Sequence, residues 1–187
     1  MVEIKGTVIN DTIDAIKKTY GEEVYLQIID GLNENDKTYF QKTFLTIGWY
    51  DIDAFTRFLH QNIIVTANGD EKELIKRTEI VVEKQLKGLY RFFIRIGSVE
   101  FVLKKLSNVH SSYFKGVSIE LLSLTDNEAK IRYDGFEKQH NIIGYNIIGF
   151  YKKALELSGA KDVHVTFITQ IAEDKGYCEL LLTWIGK

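Results

Sequence analysis

Residues 116–187 read GVSIELLSLTDNEAKIRYDGFEKQHNIIGYNIIGFYKKALELSGAKDVHVTFITQIAEDKGYCELLLTWIGK, and the remainder of the chain has to fit around them. Val117, Ile119 and Leu121 alternate with Ser118 and Glu120, which puts one set of side chains on one face of a strand. Thr125-Asp126-Asn127-Glu128 supplies turn chemistry, and Ala129, Ile131 and Tyr133 alternate again, so the two runs form an antiparallel hairpin. After Gly135 the period changes. Ile143, Ile147, Phe150, Ala154 and Leu157 recur at helical spacing until Ser158-Gly159 closes the run. Val163, Val165 and Phe167 then alternate, and Cys178, Leu180, Leu182 and Trp184 answer them across the Glu173-Asp174-Lys175-Gly176 turn. The result is a ββαββ module with one apolar face.

Upstream, the spacing predicts helices. Val8, Thr12, Ile13 and Ile16 share a side of a helix over 7–20 that Gly21 ends. Glu22 and Glu23 open the next one, where acidic residues suit the helix dipole. Asn33 and Asp36 punctuate before a short aromatic segment with Tyr39, Phe40, Phe44 and Leu45. Asp51 caps a helix carrying Ile52, Phe55, Phe58, Leu59 and Ile63, whose β-branched tail Ile63-Ile64-Val65-Thr66 suits helix or strand equally. Asp70 and Glu73 precede a helix with Leu74, Ile75, Thr78, Val81 and Val82. Gly88 to Ile96 is apolar nearly all round and reads as deeply buried, Val99 to Leu106 as a short helix, and Val109 to Phe114 as a final turn. The fold class is α+β: a helical subdomain over 1–115 packed on the ββαββ subdomain over 116–187, in a single domain.

Composition narrows the functional classes. Of 187 residues, 45% are hydrophobic and 27% charged, with a net charge of −2, so no basic footprint for nucleic acid is present. No apolar run approaches the roughly 18–20 residues of a membrane span. The charged start Met1-Val2-Glu3-Ile4-Lys5 has no signal-peptide core, and a cytoplasmic setting is expected. Cys178 is the lone cysteine, read as a buried inert thiol.

Chemical signatures are sparse. Phosphate-loop, dinucleotide, zinc-protease and serine-hydrolase motifs are absent, so an enzyme is not expected. His60, His110, His140 and His164 stand singly, without a second ligand at helical spacing. Asp51 and Asp53 read as a cap and a solvated charge, and Glu71-Lys72-Glu73 with Lys76-Arg77 as a mixed solvated face. Eleven Phe, ten Tyr and two Trp either fill a core or line an apolar pocket between the two subdomains.

Ile4-Lys5-Gly6-Thr7-Val8 followed by Tyr20-Gly21-Glu22-Glu23-Val24 resembles the opening of heme-NO/O2-binding (H-NOX) domains, and length and element order are similar as well. The resemblance implies a heme held between the subdomains. Asn108-Val109-His110 falls where the family places its proximal ligand, which makes His110 the expected axial ligand to iron, with Val8 and Thr12 on the distal side. The family grips heme propionates with Tyr-x-Ser-x-Arg; here the matching run is Tyr133-Asp134-Gly135-Phe136-Glu137, which keeps the tyrosine and sets a glutamate where the arginine stands. The second half is similar to heme-less relatives: the uncharacterised set expanded in myxobacteria, the vinyl-reductase-like domains and the transport-particle (TRAPP) subunits. Two functions follow as expectations. One is a sensory domain that binds heme or another small apolar ligand and reports to a separate signalling protein. The alternative is a ligand-free interaction module like the TRAPP subunits.

Overall fold

The computed structural model describes residues 1–86 and 98–186. Helices α1 (Gly6–Tyr20), α2 (Glu22–Asp30) and α3 (Glu34–Phe40) are followed by α4 (Ile52–Ala67), α5 (Glu73–Leu86) and α6 (Val99–Ser111). Strands β4 (Ser118–Leu124) and β5 (Glu128–Asp134), helix α7 (Asn141–Leu157), and strands β6 (Lys161–Thr169) and β7 (Tyr177–Ile185) complete the chain. The four strands form one antiparallel sheet in the order β4-β5-β7-β6. The architecture is α+β with a helical first half, as the periodicities dictate. The run Gly88 to Ile96 lies outside the described residues.

Alternation decides which face of the sheet is dry. Ala129, Ile131 and Tyr133 of β5 and Cys178, Leu180, Leu182 and Trp184 of β7 are all buried, and α7 lies over them with Ile143, Ile147, Tyr151 and Ala154. Register matches the pattern: Ile131 faces Leu180, Tyr133 faces Cys178 and Val165 faces Leu182. Burial pushes the Cys178 thiol up to about 12, so it stays protonated and unreactive at neutral pH.

Three short strands lie outside anything the sequence reading anticipated. β1 (Glu3–Lys5) sits between β2 (Trp49–Asp51) and β3 (Phe114–Lys115), pairing Ile4 with Tyr50 on one side and with Phe114 on the other. This small sheet ties the start of α1, the start of α4 and the end of α6 together, and the Lys5 amide donates to the Tyr113 carbonyl at 2.9 Å. Asp51 caps α4 as expected, accepting from the Asp53 amide at 2.9 Å. The ambiguous tail of α4 is helix: Asn68 ends it in the left-handed region (φ 50°), a conformation asparagine tolerates. The aromatic segment divides, since α3 stops at Phe40 and Phe44 continues the cluster from a loop.

Helices α5 and α7 approach closely at a glycine. A Cβ on Gly149 would sit 2.5 Å from the Ile75 carbonyl oxygen and 2.9 Å from the Thr78 Cβ. Gly149→Ala is therefore expected to destabilise the protein by about 1–3 kcal/mol, even after the roughly 1 kcal/mol that alanine adds in helix propensity. Urea denaturation reads this directly, and a midpoint equal to or above the wild type would show that the seam is loose.

Candidate ligand-binding site

His110 occupies the last turn of α6, not a separate turn after it as the spacing predicted. It is 5% exposed. Its ring stacks on Phe150 of α7 at 4.2 Å between centroids and 15° between planes, while Phe114, Tyr133 and Tyr151 meet it edge-on. His110 Nδ1 is hydrogen-bonded to the Tyr133 hydroxyl, which in turn donates to the Tyr151 hydroxyl at 3.0 Å. A phenol has one proton, so in this network His110 carries its hydrogen on Nδ1 and donates it to Tyr133. Nε2 then keeps its lone pair. Burial lowers the His110 pKa to about 3, and the imidazole is neutral at physiological pH. The same burial, reinforced by Tyr151, holds the Tyr133 phenol well above its ordinary value.

A cavity of about 160 Å³ opens against His110. Its walls come from α1 (Val8, Thr12, Ile16), α5 (Leu74, Arg77, Val81) and α7 (Ile143, Ile147, Phe150). Ile4 of β1 and Phe114 of β3 close one side, which is how two of the three short strands contribute to the site. Of the residues expected from sequence, His110, Val8 and Thr12 all line the cavity. Tyr133 is not among the described lining residues; it stands behind His110 and anchors it.

Two polar features escaped the sequence reading. Arg77 lines the cavity from a half-buried position, with Nη1 donating to Thr66 Oγ1 at 2.5 Å and Nη2 to the Thr66 carbonyl at 3.3 Å. His140, at the N-cap of α7, is 2% exposed and bonded to Asp53 Oδ1 at 2.6 Å, clamping the start of α7 to the start of α4. Asp53 is thus a cross-link to the second half of the chain, not a merely solvated charge. The Glu137 amide donates to His140 Nδ1 at 3.0 Å, so Nε2 carries the proton that Asp53 accepts.

No protein-family model matches the sequence, and no curated protein matches it. Solved structures do. The Fe(II) unliganded H-NOX protein from K. algicida superposes at a TM-score of 0.72 with 13% identity, covering 98% of each chain. An H-NOX protein from S. oneidensis in the Fe(II) ligation state gives 0.70 and 12%, covering 98% of this chain and 97% of that one. An oxygen-binding H-NOX domain related to soluble guanylate cyclases gives 0.66 and 14%, over 97% and 95%. The chain has the H-NOX fold. Identity this low speaks for the fold alone.

Heme is the group the H-NOX fold implies, and the residues here meet only one of its requirements. A buried, neutral imidazole oriented through Nδ1 is what an axial ligand needs. Among the described residues no three His, Cys, Asp or Glu side chains converge, and His110 is the described lining residue placed to act as an axial ligand. The family's Tyr-x-Ser-x-Arg clamp is not completed at Tyr133–Glu137. Gly135 has φ +108° and a Cβ there would lie 2.4 Å from the Gly116 carbonyl oxygen, so a serine cannot replace it without moving the chain. Glu137 is exposed and negative. Arg132, next to Tyr133, points to the opposite face of the strand and is paired with Glu179 at 2.5 Å. The cavity also falls short of the roughly 300–1,000 Å³ typical of drug-sized ligands. As folded, the site does not fit a tetrapyrrole with two propionates.

Proposed function

We propose that the protein is a sensory domain of the H-NOX fold that binds a small apolar molecule beside His110 and reports occupancy to a separate signalling protein. The cavity carries this reading. Its volume, about 160 Å³, is close to that of engineered apolar cavities of about 150 Å³ that take up benzene. Its walls come from helices of the first half and from α7, which rests on the sheet, so an occupant touches both parts at once. Occupancy favours whichever arrangement of α1 and α5 against α7 fits it best, and that shift is the signal a partner reads. No catalytic step belongs to this proposal. A ligand-free interaction module would have a filled interior, and the cavity argues against it.

Heme-based gas sensing is the second reading, favoured by the state of His110. One titration separates the two. Hemin added to the purified protein is expected to give the spectrum of free hemin, identical in wild type and His110→Ala, while benzene raises the melting temperature of the wild type. A sharp Soret band that shifts with nitric oxide and is lost in His110→Ala would instead establish the heme sensor. Absence of any response to benzene or hemin would leave the interaction module.

A further inference from the structure

We infer that the cavity selects a small apolar monocarboxylate, with its apolar body beside α1 and α7 and its carboxylate on the Arg77 guanidinium; this rests on the cavity being a ligand site. Arg77 is the cationic side chain among the described lining residues. Among the described residues its hydrogen bonds go to neutral oxygens: Thr66 Oγ1, the Thr66 carbonyl and, at 3.4 Å, Asn62 Oδ1. Tyr20 covers it from the side, with the guanidinium carbon 5.1 Å from the ring centroid. Nearby carboxylates on α5 are engaged elsewhere, Glu73 with Lys76 at 2.7 Å and Glu79 with Lys152 at 2.8 Å. Arg77 thus has no carboxylate partner among the described residues.

The geometry suits a ligand head group. A guanidinium has five N–H donors in a planar fork that matches a carboxylate, so Arg77 retains donors after holding Thr66 and Asn62. Those contacts fix the fork in advance, and less side-chain freedom is lost when an anion arrives. Thr78 Oγ1 donates to Asn146 Oδ1 at 3.0 Å, which leaves the Asn146 amide hydrogens as further donors on the cavity wall. His110 is buried and Arg77 half-buried, so the charged end lies toward solvent and the apolar body inward. A single guanidinium matches one negative charge. A dianionic phosphate would bring a second charge against an apolar wall without a counterion.

Calorimetric titration of the whole chain with benzoate and with its neutral isostere benzamide tests this. Benzoate is expected to bind at least about tenfold more tightly than benzamide, the range of a hydrogen bond to a charged partner, and the preference should shrink at high salt. In Arg77→Gln, folded by circular dichroism, the preference should fall to within about twofold. Equal affinities in the wild type would overturn the acid class while leaving the cavity as a ligand site. A preference that survives Arg77→Gln would show that another group reads the carboxylate. Failure of benzoate, benzamide and benzene alike to bind would remove the ligand site itself. If Arg77→Gln does not fold, the wild-type comparison and its salt dependence still decide.

Discussion

Acidification from pH 6.5 to pH 3 is expected to cost the folded protein roughly 4 kcal/mol through His110 alone. Burial holds the folded-state pKa at about 3, against an ordinary value of 6.5. A lowered pKa means that the unfolded chain takes up the proton first. The contribution is therefore fully present above pH 6.5, declines as pH falls, and levels off below pH 3. Among the described residues the rings facing it are uncharged, Tyr113, Tyr133 and Tyr151 with hydroxyls and Phe114 and Phe150 with none, so none of them stabilises an imidazolium. Asp36 adds loss in the same direction, because its hydrogen bond to Arg57 holds its pKa below the carboxylate norm. Comparing wild type with His110→Gln by urea denaturation across pH cancels that background. The difference between the two profiles should rise by about 1.4 kcal/mol per pH unit over the window. Parallel profiles would mean that His110 is neither dry nor neutral.

The ββαββ half was legible because its cues are local. Period-two runs of seven to nine residues fix which face is buried, and the one long apolar helix between them supplies its cover. The small sheet was not legible, since three-residue strands show no period and Ile4 finds its partners at Tyr50 and Phe114, far along the chain. His110 was misplaced for a related reason. Asn108 is a poor helix former, yet tertiary packing carries α6 through it to Ser111. Arg77 could have been found. It shares a helical face with Leu74, Thr78 and Val81, spaced at i, i+3, i+4 and i+7, and a charge on an apolar stripe merits a functional question. Reading it with its neighbour Lys76 as solvated surface hid that position. The side chain behind the site, Tyr133, was visible only through family resemblance, because no local rule says that a strand phenol will hold a histidine 23 residues earlier.

Phe150→Ala is expected to destabilise the protein by roughly 3–5 kcal/mol, among the largest effects of any single truncation here. The ring is 5% exposed, stacks on His110 and meets Tyr151 edge-on at 5.3 Å. Its loss removes apolar burial and the contact that keeps the imidazole flat against α7. The space vacated adjoins the existing cavity, so the two volumes merge beside His110. A bicyclic apolar probe such as naphthalene should then raise the urea midpoint of Phe150→Ala, by about 2.7 kcal/mol at a concentration one hundred times its Kd, and leave the wild type unmoved. Truncating Phe40, which is buried against Phe58 at 4.6 Å and is not among the described cavity residues, should cost similar stability without that recovery next to His110. A loss below about 1 kcal/mol for Phe150→Ala would mean that the surroundings collapse into the gap. The stack would then not be what holds His110 in place, and the coupling between cavity and sheet would have to run through Ile143 and Ile147 instead.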